Sequence, residues 1–243
     1  MKSIGIQALD KTLMEGLPDG LMILVTGSPG SGTELFAKQF ASNAAGKESV
    51  VYFTTTERDE DVTTTLEHFG WKSDMQIVNI GEQYYEQVLA RELEISKYRQ
   101  EGLKTRDLKK YENEDGGGRR SVNLLTSLTY EVSKLKPPFR IVIDSLDFFL
   151  EYYADRTVLS ALRTIKAHIQ HNRSIALLTM LTGVHDTRTE SGVEEIVDII
   201  IELERQRVDD EFKRNLLIRK VRNHPEKTWI HPYTITKEGI TPL

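Results

Sequence analysis

The residues with the clearest chemical potential are Gly27-Ser28-Pro29-Gly30-Ser31-Gly32-Thr33-Glu34. Glycines at this density let the backbone curl tightly, so that successive N–H groups can converge on one anion. In the phosphate-binding pattern G-x-x-x-x-G-K-[ST], such amides and a helix N-terminus hold the phosphates. The Lys neutralises the β and γ groups, and the hydroxyl binds Mg2+. Gly27 and Gly32 keep this register, but Thr33 stands at the Lys position and Glu34 at the hydroxyl position. The exchange removes one positive charge and adds a negative one. Each unit charge about 4 Å away is worth roughly 4 kcal/mol at an effective dielectric near 20, enough to abolish tight binding. Against that, the amides and the helix dipole survive, and a Glu carboxylate is itself a hard oxygen ligand for Mg2+. Two readings of the loop stay open: a weakened nucleotide site, or a tight strand-to-helix turn kept for packing.

A cradle of this kind requires a buried strand before it and a helix after it. Leu21 to Thr26 is a continuous apolar run ended by Gly27, which predicts a strand buried on both faces of a parallel sheet. Glu34 to Ala45 carries helical spacing through Leu35, Phe36, Phe40 and Ala41, with Gly46 as its stop. Val50–Thr54 and Met75–Ile80 predict further strands, with a helix over Asp59–Phe69 between them. Ser121–Leu135 and Leu159–His171 predict helices, and Arg140–Asp144, Ser174–Met180 and Val197–Leu203 predict strands. Asn215–Val221 and Thr228–Thr236, with a turn at Lys237-Glu238-Gly239, predict β-hairpins. The alternation of strand and helix is that of an α/β fold with a central, mostly parallel sheet flanked by helices. One domain over 1–243 is expected, with a charged insertion at about 83–120 that breaks the rhythm.

At 243 residues, 39% hydrophobic and 28% charged, the chain has the composition of a folded globular protein. No apolar run approaches the ~18 residues needed to cross a bilayer, so no membrane association and a cytoplasmic location are expected. There is no cysteine, which excludes disulfides and thiolate metal sites. The six histidines hold no recognisable ligand spacing; His168 and His171, at i and i+3, are expected on a helix surface without a structural metal. A net charge of −5 argues against a broad basic surface for nucleic acid, with Arg214 to Arg222 as one local basic patch.

With these residues in place, nearly the whole chain resembles the KaiC-like branch of the RecA superfamily, archaeal and bacterial single-domain P-loop ATPases. The leader Gly5-Ile6-Gln7-Ala8-Leu9-Asp10, followed by Gly16-Leu17-Pro18-Asp19-Gly20, is similar to that family's G-I-x-x-L-D and G-[IL]-P-x-G. The resemblance implies a RecA-like fold with C-terminal hairpins and binding of ATP or ADP with Mg2+ at Gly27–Glu34. Arg140-Ile141-Val142-Ile143-Asp144 resembles the Walker B strand, which implies that Asp144, with Glu34, orients the metal. Tyr52-Phe53-Thr54-Thr55-Thr56-Glu57 resembles a strand that ends in two glutamates in the family. Here Thr56 replaces one, and Glu57 is left as a candidate general base or as a solvated residue capping the next helix. Gly192 to Asp198 resembles the stretch before the late strand. Lys220-Val221-Arg222 resembles a K-x-R element whose cations reach a neighbouring subunit's γ-phosphate in ring-forming relatives; otherwise they are exposed charges on a hairpin.

Three functions follow as alternatives. The first is an ATP-binding regulatory or assembly module with impaired or absent hydrolysis, forming a ring or dimer. The second is a pseudo-ATPase scaffold that binds no nucleotide and works through oligomerisation or protein contacts. The third is a recombinase-like DNA-binding protein, which the acidic balance disfavours.

Overall fold

The structure, a computed structural model, describes residues 3–14, 19–44, 48–71, 74–89, 123–209 and 211–243, together with 93, 96, 97 and 100. Most of the insertion expected at 83–120 lies outside them.

Aliphatic runs without polar alternation are stable only where both sheet faces are covered. In chain order the strands are β1 (Leu21–Gly27), β2 (Ser49–Thr54), β3 (Met75–Asn79), β4 (Phe139–Asp144), β5 (Ile175–Leu181), β6 (Ile199–Val208), β7 (Glu211–Val221), β8 (Trp229–Thr236) and β9 (Gly239–Pro242). They form one sheet in the order β3-β2-β4-β5-β1-β6-β7-β8-β9. Pairing is parallel from β3 through β6 and antiparallel from β6 to β9. The fold class read from the sequence is therefore the one observed, including the C-terminal hairpins. The carboxyl ends of β1, β2, β4, β5 and β6 share one edge, where open α/β sheets place their ligands.

The helices divide between the two faces. On one face lie α1 (Thr33–Ser42) and α2 (Asp59–His68), joined by Ile4, Ile6, Leu9 and Leu13 of the leader. The short α3 (Ile80–Tyr84) follows β3. The other face is covered by α4 (Leu124–Ser133), α5 (Asp147–Tyr152), α6 (Asp155–His171) and α7 (Thr187–Ile196). Two of these, α5 and α7, lack a clear apolar rhythm in sequence. α7 buries only Thr189, Val193 and Ile196 and starts from Asp186, whose carboxylate accepts the N–H groups of Arg188 and Thr189. Strand β6 also runs past the expected end at Leu203, because its polar second half pairs with β7 after β1 has stopped.

Helix α1 is sunk into the molecule rather than laid upon it. Leu35 through Ala41 are all buried. The Gln39 side chain accepts the Ile240 N–H at 2.8 Å and donates to the Gly5 carbonyl at 3.2 Å, tying helix, leader and β9 together. The leader is itself braced: the Asp10 carboxylate accepts the Ile4 N–H at 2.6 Å and the Ser3 hydroxyl at 2.5 Å. Arg140, 0% exposed, donates to the Phe40 carbonyl at 2.5 Å, lies over the Phe40 ring and pairs with Glu48 at 3.1 Å. The cation thus sits at the carboxyl end of α1, where the helix dipole favours it.

Removing one member of a buried pair leaves the other charge stranded. Arg140→Ala should cost about 3–5 kcal/mol in denaturant unfolding, while the double replacement Arg140→Met with Glu48→Leu should lose much less.

Candidate functional site

The loop from β1 to α1 is a tight turn that leads directly into the helix N-terminus. Gly32 precedes the helix at φ +100°, a conformation that L side chains rarely adopt. The Ser31 N–H donates to the Ser28 carbonyl at 3.0 Å, which closes a turn. A Cβ on Gly27 would meet the Leu203 carbonyl at 2.7 Å and the Ser31 hydroxyl. Helical bonding begins with the Phe36 N–H, which donates to Gly32 at 2.9 Å. The amides of Thr33, Glu34 and Leu35 therefore have no intrahelical acceptor. Ser31 is 0% exposed and its hydroxyl has no partner among the described residues, while Ser28, Pro29 and Gly30 face outward. The Ser31 carbonyl is held by the Tyr233 hydroxyl at 2.5 Å. Burial pushes that phenol up to about 12, so it stays a donor. Thr33 is buried, and its hydroxyl lies 3.3 Å from the carboxylate of the exposed Glu34.

The two other carboxylates singled out in the sequence stand at the same sheet edge, and both are engaged. Asp144 ends β4 and is 7% exposed. It accepts the Tyr52 hydroxyl at 2.5 Å and the Thr179 hydroxyl at 2.6 Å, from the strands on either side. Burial, and then the Asp144 charge, raise the Tyr52 phenol well above its ordinary value. Glu57 follows β2 in a turn stapled by Thr54, which exchanges side-chain bonds with the Glu57 backbone at 3.1 and 3.2 Å. Its carboxylate pairs with Lys38 of α1 at 2.7 Å. Lys38 is 1% exposed and stands one turn beyond Glu34 on the same helix. Glu57 does not cap α2, whose preceding residue is Arg58.

Lys220 and Arg222 stand elsewhere. The Lys220 ammonium donates to the carbonyls of Glu194 and Val197 at 2.5 and 2.9 Å. Arg222 donates to Glu195, Ile196 and Val197 and pairs with Asp198 at 3.0 Å. Asp198 also accepts the Met22 N–H at 2.9 Å and pairs with the buried Lys166. Within one chain these cations close the carboxyl end of α7 and bind it to the start of β1.

Among the described residues, no group of three or more His, Asp or Glu is arranged to hold a metal ion. A cleft of about 820 Å3 beside Glu57 is lined by Asp59, Glu60 and Glu82 with Arg58. Its wall is therefore mainly acidic. Sequence reading did not identify Lys38, Tyr52, Thr179, Tyr233 or Arg205, whose guanidinium reaches the loop at Gly30. Lys38 did leave a signal, because it interrupts the apolar run Leu35-Phe36-Ala37…Phe40-Ala41. Tyr52 and Thr179 meet Asp144 from the strands on either side, and Tyr233 and Arg205 reach the loop from the C-terminal strands.

The family model described as ATPase: KaiC matches residues 2–242. A UPF0273 protein of Pyrococcus furiosus is 25% identical, with 97% of this chain and 91% of that protein covered. The circadian clock oscillator protein KaiC of Parathermosynechococcus lividus is 28% identical over 98% of this chain, which spans 41% of KaiC's length. In fold, the crystal structure of a KaiC-like protein of Pyrococcus horikoshii matches with a TM-score of 0.64 and 23% identity, over 99% and 97% of the two chains.

Tyr52→Phe removes one of two hydroxyl donors from a buried carboxylate. It should destabilise the fold by about 1.5–3 kcal/mol, read from chemical denaturation, with Thr179 keeping Asp144 in place.

Proposed function

Because this chain belongs to the KaiC ATPase family, we propose that it binds ATP or ADP with Mg2+ at Gly27–Glu34 and hydrolyses it feebly or not at all. The observation that carries this reading is the Lys38–Glu57 ion pair at 2.7 Å. The loop supplies unpaired helix amides and a Ser31 hydroxyl without a partner among the described residues, which suit phosphate oxygens. The catalytic side is disarmed. A general base must be within hydrogen-bond reach of a water, and the glutamate at the end of β2 has one carboxylate oxygen, Oε2, ion-paired to an ammonium group. Thr33 brings no charge to the phosphates, and Glu34 adds a repulsive one. When bound, Mg2+ would neutralise phosphate charge, with Asp144 and Glu34 as the side chains that would orient it.

A protein that holds a nucleotide without consuming it suits a regulatory or assembly role, in which the bound state sets a partner's affinity. The same proposal includes a ring or dimer, with Lys220 and Arg222 exchanging their α7 carbonyls for a neighbour's γ-phosphate. It also includes an intracellular location; no helix among the described residues is long and apolar enough to cross a membrane. The scaffold reading, in which no nucleotide binds, draws support from Glu34. Its carboxylate sits in the first turn of α1 and can itself satisfy the helix dipole.

Millimolar ATP with Mg2+ should raise the melting temperature, since a ligand of the native state stabilises it by mass action. No shift would eliminate the nucleotide reading in favour of the scaffold. Thr33→Lys with Glu34→Thr should tighten ATP binding at least tenfold, measured by calorimetry. Adding Lys38→Leu to that variant should raise phosphate release above the double variant's rate by freeing Glu57. An unchanged rate would show that the ion pair is not what silences hydrolysis.

A further inference from the structure

The loop that lacks a lysine is overlooked by another cation of the same chain. Strand β6 continues past the end of β1, whose last residue, Gly27, pairs with Leu203. Leu203 faces the α1 side of the sheet, and alternation places Arg205, two residues on, on that same side beyond the strand's end. There the Arg205 Nη1 lies 2.7 Å from where a Cβ on Gly30 would stand. Any side chain at position 30 would meet the guanidinium.

Three features of Arg205 fit a group that awaits an anion. Its guanidinium rests 3.8 Å from the centre of the Phe212 ring, which fixes its plane without consuming its charge. Its Nε is buried and has no hydrogen-bond partner among the described residues. Directly opposite it in the β6–β7 register stands Arg214, whose Nε is likewise buried and unpartnered. Like charges facing each other across an antiparallel pair are destabilising. No carboxylate among the described residues pairs with either. An anion between hairpin and loop turns this repulsion into attraction. The Ser31 hydroxyl, fully buried inside the loop, is a second donor without an acceptor among the described residues.

We propose that Arg205 is a phosphate ligand, supplying from β6 of the same chain the positive charge that position 33 does not provide. This inference rests on the nucleotide reading above and adds to it which residue selects for the polyphosphate. The ligand class is a nucleoside di- or triphosphate; a nucleoside monophosphate, without the distal charge, gains less from the guanidinium. The substitution of Lys by Thr is then a relocation of the cation from helix to hairpin, not its loss.

Calorimetry with Mg-ATP and with AMP on the full chain tests this. Arg205→Gln should weaken Mg-ATP at least tenfold and change AMP less than twofold. Arg205→Lys should retain Mg-ATP within about threefold of the wild type. Thr33→Lys added to Arg205→Gln should recover at least half of the lost affinity on a logarithmic scale. Unfolding midpoints matching the wild type establish that the variants fold; if Arg205→Gln does not, Arg205→Lys and Arg205→Met carry the comparison. Mg-ATP binding unchanged by removal of the Arg205 charge overturns this inference and leaves the nucleotide reading standing. A wild-type chain that binds no Mg-ATP overturns both.

Discussion

A helix that begins at the carboxyl end of a central parallel strand leaves the amides of its first turn without intrahelical partners, and the helix dipole gives them a partial positive charge. In this chain the helix is α1 and the strand is β1, flanked on both sides by parallel neighbours. Everything that fixes α1 therefore fixes the direction of those amides. Arg140 and Glu48 hold its carboxyl end, Gln39 binds its middle to β9 and the leader, and Tyr233 grips the turn that precedes it. These ties come from four separate stretches of sequence.

The chemical groups around that fixed point depart from the phosphate-binding pattern. The positions that carry charge and hydroxyl in the phosphate-binding pattern hold Thr33 and Glu34. Nearby, Lys38 is buried against Glu57, and Arg205 leans over Gly30. On the proposed function these two cations have opposite consequences. Lys38 engages the carboxylate that could otherwise direct a water, whereas Arg205 adds positive charge where phosphate would lie. On the proposed function, binding and hydrolysis are thereby uncoupled by different side chains, on α1 and on β6.

The sheet was legible because its central strands are continuous aliphatic runs, and a run such as Leu21 to Thr26 has few other ways to be buried. The Gly27–Gly32 spacing also located the turn and the helix after it. Less legible were elements whose burial is partial: α7 buries three residues of ten, and the outer half of β6 alternates polar groups in a way that resembles a loop. Within the site, Asp144 and Glu57 could be placed at strand ends from sequence, but not their partners. Tyr52, Thr179 and Lys38 meet them across strand and helix packing, at separations of 92, 35 and 19 positions in the chain. Arg205 depends on a register in which β6 outlasts β1, a fact about pairing that no local pattern encodes. The leader motif, by contrast, proved to be scaffold: its Asp10 braces a backbone turn, and its apolar residues pack on α1.

Nucleotide binding at the loop requires the amides between Gly30 and Leu35 to receive an anion although position 33 is uncharged. Backbone 15N–1H NMR during titration with Mg-ATP observes them directly. Saturable shifts concentrated at Ser31, Gly32, Thr33, Glu34 and Leu35 are the predicted result. Amide signals in this stretch that stay fixed while nucleotide binds elsewhere, or does not bind, would contradict it.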